Sequence, residues 1–319
     1  MKIFVTGAAG FVGSYVAESL LNDGHEVVGF DNYNDYYDVR LKEARSARLE
    51  GRDGFTMVRG DLADFQPLTS IFQQHKPDRV CHLAAQAGVR YSIENPAAYQ
   101  QSNLEGHLNI LEACRHSDVD RLVYASSSSV YGGNKKVPFS EDDPVDHPVS
   151  LYAATKKANE LMSHTYTHLY GLQTVGLRFF TVYGPWGRPD MAYWLFTEAM
   201  LKGESIKVFN HGKMERDFTY IDDIVAGVKA SLFADGLDPY EIFNLGNNKP
   251  ENLMDFIKTL AGALGVEPKM EMLPMQAGDV PITFADISKA QEKLGYQPTT
   301  SMAEGLNRFV VWYKEFFKA

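Results

Sequence analysis

Tyr152 and Lys156, in the stretch Tyr152-Ala-Ala-Thr-Lys156, place a phenol and an ammonium four residues apart on one face of a predicted helix. An ammonium at that spacing depresses the pKa of the phenol and also reaches the hydroxyls of a bound ligand. Upstream, Ser126, Ser127, Ser128 and Ser129 close a predicted strand immediately before Val130-Tyr131-Gly132. At the carboxyl edge of a parallel sheet, one of these hydroxyls faces the same cleft and shares a substrate proton. The three groups together are the parts of an acid/base site.

A second constellation opens the chain. Thr6-Gly7-Ala8-Ala9-Gly10-Phe11-Val12-Gly13 stands between a predicted strand and a predicted helix. Gly7 permits a tight turn, Gly10 lets a pyrophosphate approach the backbone, and Gly13 lets helix and strand pack closely. Phe11 and Val12 stand where the following helix begins, and its N-terminus faces the phosphates. The next strand ends at Asp31, followed by Asn32, where a carboxylate takes both hydroxyls of an adenine ribose and repels a 2′-phosphate. The cofactor expected is therefore NAD rather than NADP. Asp61 and Leu62 close a third strand beside the adenine edge, and Ala84, Ala85 and Gln86 close a fourth that passes beneath the cofactor.

These residues need a scaffold that brings strand ends together, and the order of elements describes one. The runs IFVTG, EVVGFD, TMVRGD, RVCHLAA, RLVYASS and TVGLRFF alternate with helical patterns, among them Val12 to Leu21, Ala98 to Arg115 and Tyr152 to Leu169. Strands so spaced predict an α/β fold, a Rossmann-type doubly wound, mostly parallel sheet with ligands outside the carboxyl ends of its strands. After Phe180 the loop VYGPWGRPD leads to the short strands SIKVFN, RDFTYI and EIFNLG, to helices near Asp223 to Phe233 and Glu251 to Leu264, and to a last helix from Met302 to Phe317. The expected organisation is residues 1–180 as the cofactor-binding domain, with segments from about 210–250 returning to it. Residues 181–319 form mainly a smaller mixed α/β substrate-binding lobe.

Composition narrows the partners. The 319 residues are 45% hydrophobic and 23% charged, with 31 Lys and Arg against 41 Asp and Glu, so no basic stripe speaks for nucleic acid. Cys81 and Cys114 sit in apolar runs as core fillers, which fits a reducing compartment. No signal peptide and no run of 18 apolar residues is present, so the expectation is a cytoplasmic protein that does not span a membrane. His25, His82, His164 and His168 form no ligand set, and no metal is expected.

The stretches TGAAGFVG, LAAQAG, YASSSSVYG, YAATK, RDFTYIDD and GDVPITFAD resemble the extended short-chain dehydrogenase/reductase superfamily, in its nucleotide-sugar epimerase and dehydratase branch. HLAAQAGVRYSIENP and LRFFTVYGPWGRPDMA look closest to the UDP-glucuronate 4-epimerases. The resemblance implies that Tyr152 is the base and acid at the sugar 4-hydroxyl, that Lys156 holds the cofactor and keeps Tyr152 poised as phenolate, and that Ser127 is their hydroxyl partner. Ser128 and Ser126 compete for that last role. Asn103 resembles the family asparagine near the active-site water structure, which implies a backbone role, and is counted with the cofactor-binding residues. The implied reaction is reversible 4-epimerisation of UDP-glucuronate to UDP-galacturonate through a 4-keto intermediate, with the reduced cofactor staying bound.

The candidates around the sugar nucleotide are Thr181, Arg188 and Arg216, with Arg90 at the rim. Arg216 resembles the arginine that binds the diphosphate in related epimerases, and Asp279 the acid that takes the uridine ribose. Gln276 stands where galactose epimerases of the superfamily carry a second phosphate arginine, which weakens the UDP-glucose reading without removing it. A dehydratase or a UDP-glucuronate decarboxylase would show an acid after the active-site hydroxyl, where this chain has Ser128-Ser129-Val130. A non-enzymatic NAD-binding scaffold would have lost one of the Ser, Tyr and Lys groups. The family also implies a homodimer through the helices Ala98 to Arg115 and Tyr152 to Leu169.

Overall fold

A computed structural model describes residues 1–275 and 281–318. Its strands in chain order are β1 (Lys2–Thr6), β2 (Glu26–Asp31), β3 (Phe55–Arg59), β4 (Arg79–His82), β5 (Arg121–Ser127), β6 (Gln173–Phe179), β7 (Thr181–Tyr183), β8 (Ser205–Val208), β9 (Glu215–Tyr220), β10 (Tyr240–Leu245), β11 (Pro250–Asn252), β12 (Lys269–Met272) and β13 (Ile282–Thr283). Seven of them form one parallel sheet in the order β10-β6-β5-β4-β1-β2-β3. The order reverses direction between β1 and β4, and a doubly wound Rossmann-type sheet opens its ligand crevice at such a point. Central β1 and β5 are buried nearly throughout, with apolar runs at their centres, whereas edge strand β3 is half exposed.

The smaller mixed lobe is built around β9, which pairs parallel with β7 and β13 and antiparallel with β11, while β8 and β12 form a separate parallel pair. The chain does not stay in that lobe. Helix Ile221–Phe233 packs on helix Phe11–Asn22 and on β5 and β6, and β10 then extends the large sheet beside β6. The last helix, Met302–Phe317, is capped by Ser301, whose oxygen accepts from the Glu304 amide at 3.3 Å.

Two expected helices differ from their sequence reading. The segment Ala98 to Arg115 is not one α-helix: a short turn Pro96–Tyr99 leads into a π-helical stretch Gln100–Glu105, and the α-helix runs only over Gly106–Arg115. The wide turn carries Asn103, which is buried and bonded to the main chain of Gln86, and a residue drawn out to such a partner is a physical cause of a π-bulge. The helix expected from Glu251 begins at Leu253, because Glu251 belongs to β11 and Asn252 caps the helix by accepting from the Met254 amide at 2.8 Å.

Candidate active site

The carboxyl ends of β1, β2, β4, β5 and β6 and the loops that follow them enclose a cavity of about 1160 Å³. That is more than a single drug-sized ligand requires. At one end Gly7 turns with φ +71°, and a Cβ there would stand 2.9 Å from the Ala84 nitrogen. A Cβ on Gly13 would fall 2.0 Å from the Gly7 carbonyl oxygen, so helix Phe11–Asn22 starts where only glycine fits. Its N-terminus, at Gly10, has no side-chain cap, and the first amides are left for an anion. Gly7, Gly10, Phe11, Val12 and Gly13 all line the cavity.

Asp31 ends β2 at the cavity wall and is buried. Its carboxylate accepts from the Tyr33 amide at 2.8 Å and the Ala9 amide at 3.1 Å, one bond per oxygen, which leaves lone pairs for a diol. Burial raises its pKa, opposed by those amides and by the charge of Lys42. Asn32 lies beside it and donates to Asp61 at 2.9 Å, while Asp61 also accepts from the Ala63 amide at 2.9 Å. Asn32, Asp61, Leu62, Ala84, Ala85 and Gln86 line the same end. The chemistry of this set fits a dinucleotide: an uncapped helix start for the phosphates and a buried acid for a ribose.

Tyr152 is the second residue of helix Leu151–Tyr170, whose N-terminus is fixed by Ser150 accepting from the Ala153 amide at 3.1 Å. Its ring stands edge-on to Tyr99 at 6.0 Å. Burial raises the phenol's pKa, while a hydrogen bond with Ser127 and the charge of Arg188 lower it and Asp190 raises it again. The Ser127 oxygen accepts from the Ser129 amide at 3.1 Å and its hydroxyl lies 3.1 Å from the Ser129 hydroxyl. Ser128 lines the cavity too, but Ser126 donates to the buried Glu160 at 2.7 Å. The geometry therefore favours Ser127 over Ser126.

Lys156 lines the cavity as well, and its ammonium donates to the Ala125 carbonyl at 2.9 Å. The side chain crosses from the helix to the end of β5, so burial governs it and pushes its pKa down to about 8. Asn103 donates to Thr155 at 3.0 Å and holds both the amide and the carbonyl of Gln86, a main-chain contact that positions the loop after β4.

At the other end Thr181, Arg188 and Arg90 line the cavity. Arg90 is exposed, with its guanidinium 5.7 Å from the Phe209 ring. Arg216 is not brought to this wall among the described residues; on β9 it donates to the carbonyls of Glu215 and Pro281. Gln276 and Asp279 lie outside the described residues.

Sequence reasoning missed the groups that build this end. Asp190 is paired to Arg188, and Tyr36 donates to Asp190 at 3.2 Å. Arg45 is fully buried and joins the glycine loop to the Arg188 loop: it donates to Ala9 at 3.3 Å, Trp186 at 2.6 Å, Gly187 at 2.7 Å and the Tyr37 hydroxyl at 2.6 Å. The tyrosine pair after Asp31 and the acid two residues beyond Arg188 were the only signals available, and neither names a partner.

The sequence matches the family described as NAD dependent epimerase/dehydratase over residues 3–246. The chain belongs to that family and is an NAD-dependent epimerase, with NAD as its cofactor. Among its relatives, UDP-glucuronate 4-epimerase 4 of Arabidopsis thaliana is 52% identical over 333 residues, 99% of this chain and 76% of that protein. The structure of UDP-glucuronic acid 4-epimerase from Bacillus cereus, in complex with UDP-glucuronic acid and NAD, is similar with a TM-score of 0.94 at 37% identity, covering 99% of this chain and 100% of that one. The UDP-glucose 4-epimerase of Thermotoga maritima, with UDP-glucose, has a TM-score of 0.89 at 32% identity over 99% and 100% of the two chains.

Proposed function

We propose that the protein inverts carbon 4 of UDP-glucuronate, giving UDP-galacturonate, and the reverse. One observation carries the reading: Tyr152 and Arg188 line the same cavity, so an acid/base group and a cation suited to a carboxylate share one site. Relatives named as UDP-glucuronate 4-epimerases, 50–52% identical over 99% of this chain or more, support the same substrate.

Gly7, Gly10 and Gly13 with the amides of Phe11 and Val12 would hold the pyrophosphate of NAD, Asp31 and Asn32 its adenine ribose, and Asp61 and Leu62 the adenine edge. When bound, the nicotinamide supplies a hydride acceptor, and later a donor, for carbon 4 of the sugar. Tyr152 removes the 4-hydroxyl proton and returns it to the inverted alcohol, and Ser127 shares that proton through its hydroxyl. Lys156, anchored on Ala125, holds its charge beneath the site. Between the two proton transfers the 4-keto sugar turns to present its other face.

A 4-keto uronic acid carries its carboxylate beta to the ketone and loses carbon dioxide if the breaking bond aligns with the carbonyl π system. Ser128 and Thr181, both on the cavity wall, would hydrogen-bond that acid group and keep it out of alignment, with Arg188 holding its charge. Arg216, Gln276 and Asp279 are assigned to the UDP moiety and Arg90 to the rim, so residues 181–319 serve mainly as the nucleotide-sugar lobe beside the cofactor domain of 1–180. A cytoplasmic homodimer is proposed, supported by the exposed Leu108, Leu161 and Leu169 on the two candidate helices and by the two buried free thiols. No described helix is long and apolar enough to cross a membrane.

A second reading, a UDP-glucose 4-epimerase, draws support from the Arg188–Asp190 pair, because a cation already compensated does not require an acidic sugar. Incubating purified protein separately with UDP-glucuronate, UDP-glucose and UDP-xylose and separating the products decides between them. UDP-galacturonate is the expected product, and turnover of UDP-glucose alone would overturn the proposal.

A further inference from the structure

Arg188 meets the cavity with a carboxylate already on it. Asp190 accepts from its Nε at 3.0 Å and from its Nη2 at 2.5 Å, a two-point contact along the side edge of the guanidinium. The end edge, formed by Nη1 and the outer Nη2 proton, lies outside that contact. Both side chains are about a quarter exposed, 24% and 28%, so the pair belongs to the cavity wall and not to the core.

Three loops surround the acid. Tyr36, from the segment after β2, donates to its Oδ2 at 3.2 Å. A Cβ on Gly88, in the loop after β4, would stand 2.9 Å from the Tyr36 hydroxyl and 3.8 Å from the same carboxylate oxygen. The third loop is the one that carries Arg188 itself, clamped from behind by Arg45.

A lone arginine at this wall would grip a uronate carboxylate hard and would stand uncompensated beside a neutral sugar. Either result works against a reaction in which the sugar has to turn within the cleft. A fixed internal carboxylate relieves both, because Arg188 always has a partner to return to, and because the substrate acid must share the guanidinium with a like charge.

We propose that Asp190 is a specificity-determining residue: it exchanges with the acid group of the substrate for Arg188, so that a uronate is held loosely enough to turn and a neutral sugar leaves no unpaired cation. The inference rests on the reading of Arg188 as the uronate's partner.

The test is calorimetric affinity of the NAD-loaded protein for UDP-glucuronate and UDP-glucose, with kcat on each, in wild type, Asp190→Asn, Asp190→Ser, Arg188→Ala and the double variant Arg188→Ala with Asp190→Asn. Asp190→Asn is expected to tighten UDP-glucuronate by roughly fivefold, the size of one partly screened charge contact, without tightening UDP-glucose, and to lower kcat on the uronate. Asp190→Ser should do the same, which keeps the test in force if the asparagine variant folds poorly. In the Arg188→Ala background the effect should vanish, as required of a residue that acts through Arg188. Weaker binding of UDP-glucuronate in both Asp190 variants, or an equal change for the two sugars, would overturn the exchange role. A wild-type preference for UDP-glucose in turnover would instead refute the uronate assignment, and the change in affinity ratio would still be read separately.

Discussion

The two ends of the cavity are built by different means. At the cofactor end the chemistry hangs on regular elements: Gly7 follows β1, Asp31 ends β2, and an uncapped helix start faces inward. Backbone amides there do most of the holding. At the proposed substrate end Tyr36, Gly88, Arg188 and Asp190 come from three loops, and the Arg188 loop is held by side chains on its carbonyls, Arg45 on Trp186 and Gly187 and Tyr15 on Pro185 at 3.1 Å. The Arg188 loop is backed by Trp186, whose ring packs on Trp312 and Phe316 of the last helix at 5.1 Å and 5.0 Å. On the proposed function, the difference amounts to a division of labour in which the sheet edge sets the reaction and the loops choose the sugar.

Substitutions at the sheet edge should therefore depress every sugar alike. The largest effect belongs to Tyr152→Phe, which removes the oxygen that carries the proton and should lower kcat by about 10²- to 10⁴-fold on UDP-glucuronate and on any other sugar turned over, with NAD still bound. Steady-state kinetics on the NAD-loaded variant would show it. Activity near wild type would move the proton transfer to another group and erase the distinction between the ends.

Lys156 offers a pH test of the same edge. Its pKa falls from 10.5 to about 8 on burial, so below pH 8 the folded chain bears the full cost of the buried ammonium, on the order of 3 kcal/mol. Between pH 8 and 10.5 the unfolded chain holds the proton that the folded chain has released, and the cost fades as pH rises. In denaturant titrations of cofactor-free protein, the stability of wild type relative to Lys156→Met should rise from pH 7 to pH 10. A difference that stays flat would contradict the burial of a charged Lys156.

Asp31→Ala should weaken NAD retention by about tenfold or more through loss of charge-assisted bonds to the ribose, leaving the ratio between sugars unchanged. The NAD released per protomer on acid denaturation measures the first, and paired kinetics the second. Undiminished NAD content would remove Asp31 from the cofactor site.

The same division explains how much could be read in advance. The glycine loop and Asp31 were legible because each sits at a strand end, where chain order alone fixes position. β5 and the last helix kept their expected bounds, since β5 is a β-rich run between polar ends and the last helix is an amphipathic pattern that starts at the Ser301 cap. The helix around Asn103 was misjudged because its π turn depends on a contact with Gln86, 17 residues away. Helix Leu151–Tyr170 buries Lys156, Asn159, Glu160 and Ser163 on its inner face, each against a polar partner, and apolar periodicity cannot announce such a face. The partners of Arg188 were illegible for a stronger reason: residues 36, 45, 88 and 190 meet only after three loops have closed.

The ratio of kcat/KM for UDP-glucuronate over UDP-glucose, in wild type and Arg188→Ala, tests most directly whether the loops choose the sugar. Wild type should prefer the uronate, and the variant should lose roughly 10- to 100-fold more on UDP-glucuronate than on UDP-glucose, the worth of one charge-assisted contact felt by the acid alone. Equal losses on the two sugars would contradict selective carboxylate recognition by Arg188, and a wild-type preference for UDP-glucose would contradict the uronate assignment itself.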